Sequence, residues 1–259
     1  MLNIDGVTVS FGDNTVLNKA SLEIQARSKC VIVGANGSGK TTLLKALLGL
    51  VDISCGSVLY NGKDLRESSR ELDVSSNLPE CYRFLPISCN DLVSAYGLIK
   101  GFDGNDLINR LRRFSLQGIL EQKPWKLSTG QQKILFTLMA IGSGSGLVIL
   151  DEPFENVDFE RRKLLFDLVN GTDASVILST HDLGILGIMR EWRMYILVMG
   201  KLLGPLDPTM AGRYYFNRGS EEGAVYRVSI DEKSFSITVD HGEIPMTDIE
   251  KIGTMGRVI

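Results

Sequence analysis

Apolar residues recur along this chain with two periods, and the switches between them outline its architecture. Residues 2–11 alternate, with Val7, Val9 and Phe11 spaced by polar positions, and residues 16–26 repeat the pattern through Leu17, Leu22 and Ile24. The turn Gly12-Asp13-Asn14 separates the two runs, which predicts antiparallel strands of a small N-terminal sheet. Cys30-Val31-Ile32-Val33 is continuously apolar and runs into glycine, the pattern of a strand covered on both faces. Leu147-Val148-Ile149-Leu150 and Ser175-Val176-Ile177-Leu178-Ser179 read the same way, with the amphipathic segment 159–169 between them. A helix is predicted from Thr41 to about Gly49, and Val58-Leu59-Tyr60 leads into an Asn61-Gly62 turn. Over 90–121 the spacing becomes helical, through Leu92, Tyr96, Ile99 and then Leu107, Leu111, Phe114. That predicts a small helical subdomain at about 81–127, closed by Pro124. Strands alternating with helices predict an α/β fold with a mainly parallel sheet flanked by helices.

The texture changes after about residue 205. Tyr226, Val228, Ile230 and then Phe235, Ile237, Val239 alternate across Asp231-Glu232-Lys233, which predicts a hairpin. A short helix at Thr247–Ile252 and a final strand near Arg257-Val258-Ile259 follow. The chain divides accordingly into 1–205 and a C-terminal appendage, 206–259, with the boundary inside Pro205–Gly219. Two readings of the appendage stay open: an edge extension packed on the larger part, or a dimer-stabilising or regulatory module.

Bulk properties narrow the function classes. Hydrophobic residues make up 44% and charged residues 23% of 259, as in ordinary globular proteins. A net charge of −3 gives no electrostatic footprint for nucleic acid, and Arg213-Tyr214-Tyr215-Phe216 is too short to alter that. No apolar run reaches the ~18–20 residues of a membrane span. The start MLNIDGVTVSFGDN lacks the basic end and apolar core of a signal peptide. Cys30, Cys55, Cys81 and Cys89 show neither CxxC pairing nor metal-ligand spacing with the two histidines. Reduced thiols and a cytoplasmic location are expected.

Chemistry concentrates in a few short stretches. Gly34-Ala35-Asn36-Gly37-Ser38-Gly39-Lys40-Thr41 satisfies GxxxxGK[ST] between a predicted strand and a predicted helix, the context that motif requires. Glycines let successive N–H groups converge on phosphate oxygens, Lys40 bridges the β- and γ-phosphates, and the Thr41 hydroxyl ligates magnesium. The strand 147–150 ends in Asp151-Glu152-Pro153, so Asp151 suits a metal's outer shell and Glu152 a general base polarising water. His181 follows the strand that ends in Ser179-Thr180, where a nucleotide crevice is expected and a γ-phosphate contact fits. Leu127-Ser128-Thr129-Gly130-Gln131 reads as a loop opening into a helix from Gln131 to about Ile141, a second anion site.

In order and spacing these residues resemble the ATP-binding-cassette (ABC) ATPases over about residues 1–204. The cradle from Gly34 through Thr42 is similar to the family's Walker A, Asp151-Glu152 to its Walker B with catalytic glutamate, and Asn156-Val157-Asp158 to its D-loop. His181 matches the switch histidine, and Leu127-Ser128-Thr129-Gly130-Gln131 the LSGGQ signature. Phe11 falls where the family stacks an aromatic on adenine, with core packing as the alternative. The resemblance implies ATP and Mg²⁺ as ligands, and a second copy paired head to tail so that Ser128, Thr129, Gly130 and Gln131 reach the partner's γ-phosphate. It also implies a separate transmembrane permease subunit that holds the chain peripherally at the cytoplasmic face.

Two departures stand out. Thr129 replaces a signature glycine, where a β-branched residue would be strained at positive φ. Glu80, in Leu78-Pro79-Glu80, stands where the family has the Q-loop glutamine; a carboxylate remains an acceptable magnesium-side ligand, and a plain surface loop is the alternative. Glu80 with Tyr82-Arg83-Phe84-Leu85 is similar to exporter cassettes, so export is the expected direction, with 82–85 as a docking groove. A soluble ABC ATPase, for instance in cofactor assembly, is the competing function. Repair and chromosome types are disfavoured because the 86 residues 41–126 cannot house a long coiled coil. A non-enzymatic regulator conflicts with the intact Lys40, Asp151, Glu152 and His181.

Overall fold

A computed structural model describes residues 1–65, 73–82, 85–230 and 233–254. In chain order the elements are β1 (Leu2–Phe11), β2 (Asn14–Ile24), β3 (Lys29–Val33), α1 (Lys40–Leu47), β4 (Cys55–Tyr60), β5 (Lys63–Asp64) and β6 (Val74–Ser76). Then come α2 (Cys89–Lys100), α3 (Gly104–Arg113), α4 (Thr129–Gly142), β7 (Leu147–Asp151), α5 (Phe159–Asn170) and β8 (Ser175–Thr180). The last part holds β9 (Arg193–Val198), β10 (Lys201–Leu206), β11 (Tyr214–Arg218), β12 (Tyr226–Ile230), β13 (Lys233–Val239), β14 (Ile244–Pro245) and α6 (Ile249–Thr254).

The chain forms two compact units. The first comprises 1–25, 29–69 and 179–259. Its N-terminal sheet has the antiparallel order β2-β1-β4-β5. Leu2, Ile4, Val7 and Val9 of β1 face the core with Leu17, Ala20, Leu22 and Ile24 of β2, so the period-2 pattern placed one face inside. In the same unit β3 runs parallel to β9, and β9 pairs antiparallel with β10. A further antiparallel sheet, β12-β13-β11-β14, stacks Phe216 on Phe235 at 5.4 Å. The hairpin over 226–239 is present, although the turn residues 231–232 lie outside the described residues, as does the expected strand near 257–259. The expected helix near 247–252 is a 3₁₀ turn, Met246–Asp248, running into α6.

The second unit holds 26–28 and 70–178. Here β6 pairs parallel with β7, which neighbours β8. All five residues of β7 and residues 175–178 of β8 are buried, as a strand covered on both faces requires. The helical spacing at 90–121 resolves into α2 and α3, N-capped by Ser88 and Asp103. Between Ile134 and Ile141 every residue of α4 is buried, so this helix is core on all sides.

The hairpin β9-β10 was not legible from alternation. β9 is a short apolar run, and β10 contains Pro205, which a strand accepts because β10 is the edge of its sheet. All four cysteines carry free thiols. Cys89 is buried, and burial pushes its thiol up to about 11. Among the described residues no helix is long and apolar enough to cross a membrane.

Candidate functional site

The first unit carries the predicted phosphate cradle, between β3 and α1. Its shape depends on close approach. A Cβ on Gly34 would stand 2.5 Å from Ser38 Oγ and 2.8 Å from the Leu197 carbonyl oxygen, so no other residue fits without displacing backbone. Gly39, at φ +104, supplies the left-handed N-cap from which α1 departs without a side-chain cap or an acid in its first turn. That leaves the helix start suited to an anion. The loop closes through Ser38 N–H donating to the Ala35 carbonyl at 3.1 Å. Lys40 is buried, and its ammonium donates to the carbonyls of Gly34 at 2.8 Å and Ala35 at 3.2 Å. Among the described residues the enclosed Ser38 hydroxyl has no hydrogen-bond partner. An enclosed hydroxyl of that kind costs free energy until an acceptor arrives, so the cradle fits a phosphate. Thr41 and Thr42 follow on α1, half-buried.

Phe11 ends β1 with 54% of its surface exposed. Core packing, the alternative reading of this residue, is therefore not what the structure shows. His181 lies just beyond β8, half-buried.

The second unit carries the acidic pair and the signature. Asp151 is the last residue of β7 and is buried, with its main chain held on three sides. Its N–H donates to Asn77 Oδ1 at 2.7 Å, and its carbonyl accepts from Asn77 Nδ2 at 3.3 Å and from Lys133 Nζ at 2.7 Å. Asn77 is fully buried and also donates to Thr137 Oγ1 at 3.2 Å. The next residue, Glu152, adopts φ +46, a conformation that costs a side chain about 1 kcal/mol or more and persists only where neighbours hold it. Asn77 and Lys133 fix the main chain of the preceding residue, Asp151, and sequence reasoning missed both. Removing the Asn77 amide should drop turnover by roughly tenfold and stability by ~2 kcal/mol, because buried partners are left unsatisfied. Steady-state rates and thermal melts of Asn77→Ala check this.

The signature forms the start of α4. Ser128 is the N-cap: its hydroxyl accepts from Gln131 N–H at 3.3 Å, and Gln131 Oε1 accepts from Ser128 N–H at 2.9 Å. This reciprocal box sets the helix start at Thr129, two residues ahead of the expected Gln131. Thr129 is therefore an exposed first-turn residue with ordinary helical backbone, and the concern over positive φ disappears. Gly130 is the tight point, since a Cβ there would lie 2.2 Å from the Asn156 carbonyl oxygen. The signature thus rests directly on the predicted D-loop. Asn156 itself takes φ +58, and Asp158 caps α5 by accepting from Arg161 N–H at 3.0 Å.

Glu80 is exposed, in the 3₁₀ turn Pro79–Cys81. Burial and then the Glu80 carboxylate push the Cys81 thiol upward. The turn is pinned by Asn77 before it and Tyr82 after it. The Tyr82 hydroxyl donates to the Ser76 carbonyl at 2.9 Å, and its ring meets Tyr96 edge-on at 5.5 Å. Of the expected docking group 82–85, Arg83 and Phe84 lie outside the described residues.

A family profile described as "ABC transporter" matches residues 17–155, which include the cradle, the signature and the acidic pair. The chain belongs to this family. As an ABC transporter ATP-binding subunit it binds and hydrolyses ATP. It is 29% identical over 189 residues to the zinc import ATP-binding protein ZnuC of Photorhabdus laumondii, spanning 71% of this chain and 69% of that one. It is 28% identical over 193 residues to the biotin transport ATP-binding protein BioM of Rhizobium etli, spanning 71% and 85%. A solved structure whose description assigns it provisionally to cobalt transport (cbiO-2) matches over 100% of both chains, with 32% identity and a TM-score of 0.88. That match confirms the cassette fold: mixed sheet, flanking helices and antiparallel N-terminal sheet. The lean toward export finds no support in these relatives, since ZnuC is named for import. The feature behind that lean, the Glu80 turn, is a local substitution and carries no information on direction.

Proposed function

We propose that this ABC ATPase drives uptake of a small nutrient through a separate membrane subunit, with transition-metal ions as the favoured cargo class. The observation that carries the reading is the full-length likeness to the cobalt-assigned structure, beside relatives named for zinc import and chelated iron transport. In this reading residues 34–42 hold the phosphates of ATP, Phe11 stacks on its adenine, and Thr41 and Asp151, with Glu80 nearby in role, are the hard oxygen donors for Mg²⁺. Mg²⁺ supplies charge neutralisation on the phosphates. Lys40 offsets phosphate charge, Glu152 takes a proton from the attacking water, and His181 donates to the γ-phosphate. Ser128, Thr129, Gly130 and Gln131 serve the nucleotide of a second copy, so ATP favours the closed pair and hydrolysis favours opening. The cassette spans 1–205, and the appendage 206–259 keeps its own sheet. The assembly sits at the cytoplasmic face through its permease.

Lys40→Ala should lower ATP affinity and turnover by at least ~100-fold, because the buried charge beneath the cradle is lost. Introduced into cells, the same change should lower the content of zinc, cobalt or iron measured by elemental mass spectrometry. Unchanged or raised content of all three would refute import of these ions.

A further inference from the structure

The C-terminal helix α6 lies against the phosphate cradle, within the same unit. Glu250 Oε1 accepts a hydrogen bond from the backbone N–H of Asn36 at 3.1 Å. Gly253 approaches so closely that a Cβ there would lie 2.7 Å from Ala35 Cβ. The helix is anchored by its apolar residues: Ile249 and Ile252 are buried, with Met246 of the preceding turn. The contact thus joins positions 214 apart in sequence through two neighbouring cradle residues. It is built from a carboxylate, a residue small enough to pass the loop, and an apolar anchor.

From this we infer that Glu250 is an affinity-determining residue of the nucleotide site: a tethered carboxylate that holds a cradle N–H and must leave before phosphate is fully bound. The inference rests on the reading of residues 34–42 as the phosphate site. Backbone N–H groups of such a cradle converge on anionic oxygens. One N–H cannot serve a carboxylate and a phosphate at full strength, and a carboxylate beside a triphosphate is repelled. Because buried Ile249 and Ile252 seat α6 beside the loop, Glu250 is held within hydrogen-bond reach of Asn36 in the folded chain. Nucleotide therefore meets a partly occupied cradle, and its apparent dissociation constant rises by the reciprocal of the fraction already open. Displacement of Glu250 needs only a rotation of its own exposed side chain, because Ile249 and Ile252 keep α6 seated.

The test uses the full chain and titrates Mg-ATP by calorimetry. Glu250→Gln removes the charge and Glu250→Ala removes the acceptor as well. Glu250 is exposed, so neither change should disturb folding, and thermal melts verify that. We expect ATP to bind ~3–10-fold tighter to both variants, with KM for ATP falling in step and kcat within about twofold. Lys40→Ala is the control that separates the two readings. If Lys40→Ala loses ATP binding while the Glu250 variants bind as the wild type does, the tethered-anion inference falls alone. If Lys40→Ala binds ATP as well as the wild type, the assignment of the cradle falls and takes this inference with it. A lower melting temperature with unchanged ATP affinity would show a purely structural contact and overturn the proposal.

Discussion

Glu152→Gln should lower kcat for ATP hydrolysis by ~10²–10³-fold while leaving ATP affinity within about threefold. A positioned general base contributes that much by accepting a proton as the water attacks, and an amide of the same shape accepts none. Position makes Glu152 the candidate. It follows the buried end of β7, and its φ of +46 turns the chain there. Asn77 and Lys133, each at 2.7 Å, fix the main chain of Asp151 just before that turn. Gln keeps the volume and the backbone, so loss of rate without loss of binding isolates the proton transfer. Because the blocked enzyme retains ATP, the variant should also elute as a stable dimer when ATP-Mg²⁺ is present. A variant that turns over within about threefold of wild type would remove Glu152 from the chemistry. A strictly monomeric variant under ATP-Mg²⁺ would count against the two-copy site.

Gly130→Ala should cost both stability and rate, although the change is a single methyl on a first-turn residue. The added Cβ would sit 2.2 Å from the Asn156 carbonyl oxygen, with Val157 N at 3.9 Å behind it. A Cβ has no rotamer by which to avoid the clash, so α4 or the loop at Asn156 must move by roughly 1 Å. Overpacking of this kind costs ~1–3 kcal/mol, visible as a fall of several degrees in Tm. With the signature serving a nucleotide as proposed, a displacement of that size should reduce turnover by about a hundredfold. Thr129→Gly is the contrasting substitution. Thr129 is exposed at the first turn with ordinary helical backbone, so glycine there costs no more than about 0.5 kcal/mol and should leave the rate within tenfold. Equal effects at 129 and 130 would show that the signature tolerates or requires small residues for some reason other than contact with the D-loop.

These two sites divide the family's machinery into parts that are local in sequence and parts that are not. GxxxxGK[ST] is local: its residues adjoin, and the glycine that starts α1 and the lysine beneath the loop act within one turn of each other. The acidic pair is local too, since an apolar run ending in Asp151-Glu152 needs only its own strand to be read. The export reading failed for the complementary reason. It took one substituted residue in a short turn, Glu80, as a statement about a partner that the turn does not contain.

By itself the sequence determined the periods, and through them the N-terminal hairpin, the doubly covered strands, the helical stretch at 90–121 and the appended hairpin. It also marked the GxxxxGK[ST] loop, the Asp151-Glu152 pair and the signature stretch as motifs, because those patterns are encoded within a few consecutive positions. Only the tertiary structure decided what holds them. Asn77 reaches Asp151 across 74 positions, Lys133 reaches it across 18, and Glu250 reaches Asn36 across 214. Hydrogen bonds of this kind leave no period in the chain: a buried asparagine, a lysine on a helix and a glutamate near the terminus look like any others until folding places their partners. Packing distance had the same status, since nothing beside Gly130 in sequence shows that Asn156 will lie against it.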